Sequence, residues 1–443
     1  MNSKGDHTGA ERTVRAAIED RRAELVDLAA RLIAFDTTAR EVGDPPREEA
    51  ALQEHLAHRL GEVGAEVDLW EPDAGELAGK PLVPPGLEFK GRPQLIARLP
   101  GRGRGRSLVF NGHIDVVSAE PREAWTSDPF TPEVRDGNLY GRGACDMKGG
   151  IAAMVIAAET LAGLGVRLAG DLLVATNTDE ESSGAGGMAL VERGLRADAG
   201  IVTEPTGFDV WIACRGSEYC EIRVPGRAGH AEVRQPDWRR GGAVNAIEKA
   251  VVVIEAIESL RREWAHRVGL EHELLARPSL LPTMARAGEW AVTYPAQCAL
   301  TVAVMYLPVQ ADASGWGSTV RLEVERWLTR QTALHDDWLA AHPPVIEWWP
   351  NAVMPFEISR EEPIVEVMLD AASSGRLGGL DSWYDGATLT RLGGIPSIGF
   401  GPPGFNPDGA SVAHTVDEYV PVDGLVDCAK ALAGAAMRFC GVA

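Results

Sequence analysis

The sequence predicts an α/β protein. A domain built on a mixed, mostly parallel sheet is interrupted by an inserted ferredoxin-like α+β domain. Three observations predict this. Apolar strands alternate with helical segments through the first half of the chain, as in a sheet covered on both faces. The middle then runs β-α-β-β-α-β, the order of a split ferredoxin-like motif. Finally, the βα alternation resumes near the C-terminus. The expected divisions are 1–211 and 351–443 for the two segments of the interrupted domain, and 212–350 for the insertion.

In chain order, residues 14–34 space their apolar side chains as one amphipathic helix. A second helix follows Pro45 and Pro46, from Glu48 to Val63. The segments VDLWEP and LEFKGRPQLIARLPG read as strands with a loop between them. RSLVFNGHIDVV is an apolar strand that ends in polar residues. GIAAMVIAAETLAGL is a helix apolar on nearly every side, hence buried. DLLVATNTDEE and ADAGIVTEPT are buried strands with acids at their carboxyl ends. In the insertion, EYCEIRVP, SLLPTMARAGEW, QCALTVAVMYLP and PPVIEWW are strands; NAIEKAVVVIEAIESLRREW and TVRLEVERWLTRQ are helices. IVEVMLDAASS, GIPSIGFG and Val422–Cys440 return to the interrupted domain.

Composition narrows the function. The 443 residues carry a formal net charge of −21, which disfavours broad binding to a phosphate backbone, so no nucleic-acid partner is expected. No apolar run approaches the ~18 residues of a membrane span. The polar N-terminal stretch lacks the apolar core of a signal peptide. Six scattered cysteines without a C-x-x-C pair read as reduced thiols of a cytoplasmic protein.

Five sites of chemical interest lie at strand ends or in adjacent loops: His113-Ile-Asp115, Asp146 before a helix, Glu180-Glu181, Glu204 and His414. Each alone has a plain structural explanation; Asp146, for instance, could cap the helix that follows. Together they carry more weight, because functional groups of open α/β sheets gather beyond the carboxyl ends of strands. Two imidazoles and three carboxylates form a mixed ligand set suited to two divalent ions with one carboxylate bridging, and one acid remains for proton transfer. Alternation along an extended strand would set the Asp115 carboxylate beside His113, to accept its second ring N–H.

The segments NGHIDVV, GRGACDMKGG, TDEESSGAGG, VTEPT, GRAGHA and AHTVDEYV occur in the order of a known family. The chain resembles the dinuclear metallohydrolases that include acetylornithine deacetylase, succinyl-diaminopimelate desuccinylase, aminoacylase and glutamate carboxypeptidase. The resemblance implies that His113, Asp146, Glu181, Glu204 and His414 hold two divalent ions, zinc first and manganese or cobalt as alternatives, with Asp146 bridging. It implies Glu180 as general base and Asp115 as the residue orienting His113. His230, on the inserted lid and dimerisation domain, would help stabilise the oxyanion in the partner subunit of a homodimer. The implied activity is hydrolysis of a small amide, foremost deacylation of an N-acyl amino acid; the alternatives are dipeptidase or carboxypeptidase action, or deamination or deformylation of an aromatic or heterocyclic substrate.

The chain departs from the family in the lid. Val292 and Met305 stand where many members carry the Asn and Arg that read a substrate carboxylate. An apolar side chain cannot replace a bidentate guanidinium. Arg215, Arg240 and Arg391 are substitutes by position only. Asp385-Gly386 resembles the family's T-D-G loop. The tryptophans Trp316, Trp327, Trp338, Trp348 and Trp349 are expected to pack the lid core.

Overall fold

The structure is a computed structural model that describes residues 9–372 and 375–443. Positions 1–8, in the polar N-terminal stretch, and 373–374, the end of the helix expected from Ile364, lie outside the described residues. The chain forms two compact units. The first takes the chain up to Ala213, then Glu357–Gly379, then everything from Tyr384 onward. The second is Cys214–Phe356 with Leu380–Trp383.

The first unit is organised by a mixed sheet. Its strand order is Glu66–Trp70, Gln94–Leu99, Leu172–Asn177, Leu108–His113, Ala199–Val202, Ser397–Gly399, Val210–Cys214 and Phe356–Glu357, with Leu377–Leu380 also pairing with Val210–Cys214. The four strands from Leu172–Asn177 to Ser397–Gly399 run parallel, while Gln94–Leu99 and Val210–Cys214 pair antiparallel to this group. Every residue of Leu108–His113 and of Leu172–Asn177 is buried, which requires cover on both faces. The helices Lys148–Gly163 and Val422–Cys440 pack on each other and on the sheet, joined by Gly9–Asp20, Arg22–Ile33 and Pro363–Ala371. Glu49–Glu62, Ala185–Arg193 and Gly386–Arg391 form a second set against the strands. The single helix expected over 14–34 divides at Arg21, whose guanidinium turns aside to Glu24, Glu159 and Thr160.

Helix Lys148–Gly163 is buried along nearly its whole length, and its first turn is pressed against the strand end at Thr203. A Cβ on Gly150 would stand 2.1 Å from the Thr203 carbonyl oxygen, and one on Gly149 would stand 2.4 Å from that of Ala144. These contacts explain the paired glycines of the DMKGG segment: only a bare backbone lets the helix start this close to Asp146 and Glu204.

The second unit has a four-stranded antiparallel sheet in the order Ser279–Ala287, Gln297–Tyr306, Gly216–Pro225, Val345–Trp348, with helices Ala246–His266 and Ser318–His335 packed against it. In order of sequence the strands stand second, third, first, fourth, the ferredoxin-like arrangement. Its core joins Ile222, Val224, Val302, Val253, Ile257, Leu260, Trp264 and Leu328. Trp338 is buried and stacks on His342, Trp327 and Trp348 pack against the same core, and Trp349 stacks on Tyr219.

Gly150→Ala should destabilise the protein by about 3 kcal/mol, because overpacking against backbone cannot relax through a side-chain rotation. Denaturant unfolding checks this, with Gly163→Ala, where a Cβ meets nothing within 4 Å, as the control expected to be neutral or mildly stabilising.

Candidate metal centre

Three adjacent parallel strands deliver the site. His113 closes the strand Leu108–His113; Glu180 and Glu181 follow Leu172–Asn177; Glu204 follows Ala199–Val202. Asp146 lies two residues before the start of helix Lys148–Gly163, and His414 comes from the loop before the strand Tyr419–Pro421. Five of the side chains expected from sequence meet in two groups that share Asp146: His113, Asp146 and Glu204, and Asp146, Glu181 and His414. Within each group the ligand-type atoms lie within 4.8 Å of one another. His113 Nε2 is 3.1 Å from Asp146 Oδ1, and His414 Nε2 is 3.3 Å from Asp146 Oδ2 and 3.1 Å from Glu181 Oε1. Glu180 stands beside them and outside both groups, with Oε2 3.9 Å from His113 Nε2.

The contact expected between Asp115 and His113 is made differently. His113 Nδ1 donates to the backbone carbonyl of Asp115 at 2.9 Å, while the Asp115 carboxylate lies 3.7 Å away. That carboxylate instead accepts the N–H groups of Glu180 and Glu181, at 3.2 and 3.0 Å. The reason is local: the strand ends at His113, so the alternation that would set the two side chains together has already stopped. The consequence for the imidazole is unchanged. A carbonyl can only accept, so Nδ1 carries a proton, and Nε2, facing Asp146, is the nitrogen left to take a second proton or a cation.

Burial and crowding set the electrostatics. Burial pushes the Glu180 carboxyl well above its ordinary range, opposed by His113 and reinforced by Glu181 and Glu204. Burial does the same to Glu204, with Asp146 adding to it, and lifts Asp115 to about 7. Asp146 is also buried, yet hydrogen bonds from His113 and His414 hold it below the usual carboxylate range. Asp146 and Glu181 raise His414 to about 10. The Glu204 Oε1 atom is buried with no hydrogen-bond partner among the described residues. An orphaned carboxylate oxygen, two imidazole nitrogens and a shared aspartate fit divalent cations: the acids that favour protons on both rings would equally favour metal charge.

Several residues that organise the site were not singled out from sequence. Glu418 Oε1 accepts the N–H groups of Cys145 and Asp146 at 2.8 and 3.0 Å, and Oε2 pairs with Arg142 at 2.5 Å, both partners being buried. Glu418 lies four residues after His414, so one segment both supplies that imidazole and fixes the backbone of Asp146. Arg40 holds the carboxylate of Asp179 through two nitrogens at 2.8 and 3.2 Å. Asp179 has φ +65° and His414 φ +63°. Left-handed backbone costs an L-residue ~1 kcal/mol or more, and at Asp179 the Arg40 and Thr178 hydrogen bonds offset it. Asp385 accepts from Asn177 at 2.6 Å, and Asn177 in turn accepts from Asn111 at 2.9 Å. Burial raises Asp385 to about 6. Asp385, Arg142 and Glu418 lie in segments that resemble the family, the T-D-G-like loop, GRGACDMKGG and AHTVDEYV, and Asn177 is a polar residue at an apolar strand end; Arg40 sits in a loop that carries no such signal.

His230 belongs to the second unit, whereas the five grouped residues belong to the first. Its side chain is exposed and its Nδ1 accepts the Glu232 N–H at 3.2 Å. Arg215 is committed to the carbonyls of Asp381 and Arg277, and Arg240 and Arg391 are exposed.

The sequence pattern of peptidase family M20/M25/M40 matches residues 109–438. The chain belongs to this family. The family makes it a metal-dependent hydrolase of amide bonds. Along 97% of both chains it is 26% identical to the N-formyl-4-amino-5-aminomethyl-2-methylpyrimidine deformylase of Bacillus subtilis. It is 41% identical to the succinyl-diaminopimelate desuccinylase of Stenotrophomonas maltophilia over 167 residues, covering 35% of this chain and 42% of that one. Among solved structures, human carnosine dipeptidase 1 shares the fold with a TM-score of 0.71 at 16% identity, covering 98% of this chain and 99% of that one. A Bacillus subtilis protein described as a dinuclear metal-binding peptidase of the M20 family aligns with a TM-score of 0.62 at 14% identity, covering 96% of this chain and all of the other.

Removing Arg40 should leave the Asp179 carboxylate buried and unpaired. Arg40→Ala is expected to cost about 3 kcal/mol of stability. The double variant Arg40→Ala/Asp179→Ala should cost clearly less than the sum of the two single changes. Additive losses in denaturant unfolding would show that the pair does not hold the turn.

Proposed function

We propose that the protein hydrolyses a small amide at a centre of two divalent ions, held by His113, Asp146, Glu181, Glu204 and His414, with Asp146 shared. The observation that carries this reading is the pair of ligand groups meeting at Asp146, with the partly buried Glu180 3.9 Å from His113 and a member of neither group. Bound ions of this kind supply an activated water near neutral pH and positive charge opposite the developing oxyanion. The residues do the rest. Glu180, which the charge of neighbouring cations would keep as a carboxylate, would take the proton and pass it to the leaving nitrogen. Asp115 fixes the Glu180–Glu181 backbone, so that base and ligand keep their separate directions. Zinc is the first expectation for the metal, with manganese and cobalt as alternatives. The six free, buried cysteines support a cytoplasmic location.

For the substrate, deformylation of an N-formylated aminomethyl heterocycle is the favoured reading. Its support is the match along the whole chain to deformylases, together with Met305 where a carboxylate-reading arginine would stand. Deacylation of an N-acyl amino acid is the second reading, supported by the higher but partial identity to desuccinylases.

His230 is proposed to donate to the oxyanion from the partner subunit of a homodimer. Two features support a dimer through the second unit. Ile247, Val251 and Ile254 form an exposed apolar stripe on the helix Ala246–His266, and the edge strand Ser279–Ala287 beside that helix exposes Leu281 and Met284.

Chelation should abolish hydrolysis, and elemental analysis should approach two ions per chain; full activity without metal would sink the reading. Glu180→Gln should lower kcat on the order of 10²-fold or more with metal content unchanged. Loss of metal in that variant would instead exchange the roles of Glu180 and Glu181.

His230→Ala should bind metal normally and turn over roughly 10²–10³-fold more slowly. Mixed with Glu180→Gln protein it should regain activity, since one site in each mixed dimer has both residues. No recovery after demonstrated subunit exchange, or a strictly monomeric active enzyme, would overturn the dimer reading.

A further inference from the structure

We propose that a concavity on the second unit, next to His230, is the binding site for a flat, amino-substituted ring without a carboxylate. The site is where such a substrate is selected, and this last clause rests on the hydrolase reading above.

The cavity measures about 540 Å³, within the range of small-molecule sites. Two aromatic rings, Trp290 and Tyr294, and two acids, Glu248 and Glu289, line it together with Asn245 and Ala231, and no lysine or arginine does. Trp290 is 72% exposed, and no other ring stacks on it among the described residues. A bare indole of this kind leaves a large apolar face in water, which a stacked ring would cover. Glu289 has no ion pair or hydrogen bond among the described residues, whereas Glu248 accepts from Asn245 at 3.3 Å and keeps its other oxygen open.

The lining selects by charge. Two carboxylates beside aromatic faces attract ring amino groups and alkylammonium arms, through N–H donation and through cation–π contact. The same acids repel a substrate carboxylate, and nothing in the lining could pair with one. The absent Asn at Val292 therefore has a counterpart: the hairpin around it presents cation-reading groups, while Met305 lies at the far end of the sheet, opposite Ser279 and Ser217. Val292 lies within the hairpin that builds the cavity.

That hairpin is fastened to the His230 loop. Ala231 N–H donates to the Val292 carbonyl at 2.8 Å, Tyr294 N–H donates to the Gly229 carbonyl at 2.8 Å, and His230 bridges to Thr293. Because His230 Nδ1 accepts from Glu232, its proton sits on Nε2, and the ring is a donor as it stands. Ring-binding surface and donor thus move as one piece, so a bound ring is held at a set distance from the imidazole.

The test is calorimetric titration of the metal-loaded full chain with 5-aminomethyl-4-aminopyrimidine, and with N-acetylglutamate as the anionic control. The pyrimidine should bind at least tenfold more tightly than the control. Trp290→Ala, and separately the pair Glu248→Gln/Glu289→Gln, should each weaken it tenfold or more. In hydrolysis of the N-acylated pyrimidine, KM should rise with kcat within about twofold, and metal content and oligomeric state should be unchanged. All these side chains are exposed, so the variants are expected to fold, which circular dichroism checks. Unaltered affinity in both variants, equal binding of the anion, or conversion of a dimer to monomers by Trp290→Ala would overturn the proposal, the last by showing a subunit contact. The two readings fail separately. Pyrimidine binding lost in the variants, without hydrolysis of any amide, keeps the site and removes the hydrolase reading. Hydrolysis with KM unmoved keeps the hydrolase and removes the site.

Discussion

The structure of the first unit depends on one electrostatic constraint: a knot of carboxylates gathered in the interior at the carboxyl ends of three parallel strands. Asp146, Glu180, Glu181 and Glu204 lie within reach of two imidazoles, and Asp115 and Asp385 stand just behind. So many buried acids cannot all stay ionised without cations. The carboxyls of Glu180 and Glu204, pushed up by burial, and the orphaned Glu204 oxygen reflect the imbalance. Two divalent ions are the economical solution, because each offsets two carboxylates and fills coordination that protons cannot.

Holding that knot requires rigid supports that do not themselves react. Asp146, Glu180 and Glu181 are aimed by backbone that another acid holds. Asp115 grips the Glu180–Glu181 peptide, Glu418 grips the Cys145–Asp146 peptide, and Arg40 closes the turn through Asp179. Asp115 and Glu418 accept backbone N–H groups and Arg40 donates to Asp179, all in the interior, where a charge-assisted hydrogen bond is strongest and an unpaired group most costly. Glu418 ties the His414 segment to the Asp146 loop across more than 270 residues of sequence, so positions far apart in the chain share one geometry.

On the reading proposed above, the division into two units separates chemistry from choice. The first unit carries every member of the candidate ligand groups and Glu180. The second carries His230 and an aromatic, acidic surface. The second unit can then change which amide is accepted while the candidate ligands at the strand ends stay as they are.

Much of this was legible in the sequence, because hydrophobic periodicity and the short segments around His113, Asp146, Glu180, Glu204 and His414 are local signals. The α/β class, the ferredoxin-like order of the insertion and the residues of the metal groups follow from pattern and spacing within a few residues of each site. Tertiary structure alone decided the rest. The Asp115 carboxylate turned from His113 to two backbone amides because the strand stops at His113, two residues short of where alternation would carry it. Arg40, Glu418 and Asn111 gained their roles only when packing brought remote segments together. Trp290 acquired significance through exposure, a property that no residue type carries by itself. Ligand types can be read from a linear pattern because chemistry restricts them; the groups that aim those ligands cannot, because any well-placed donor or acceptor would serve.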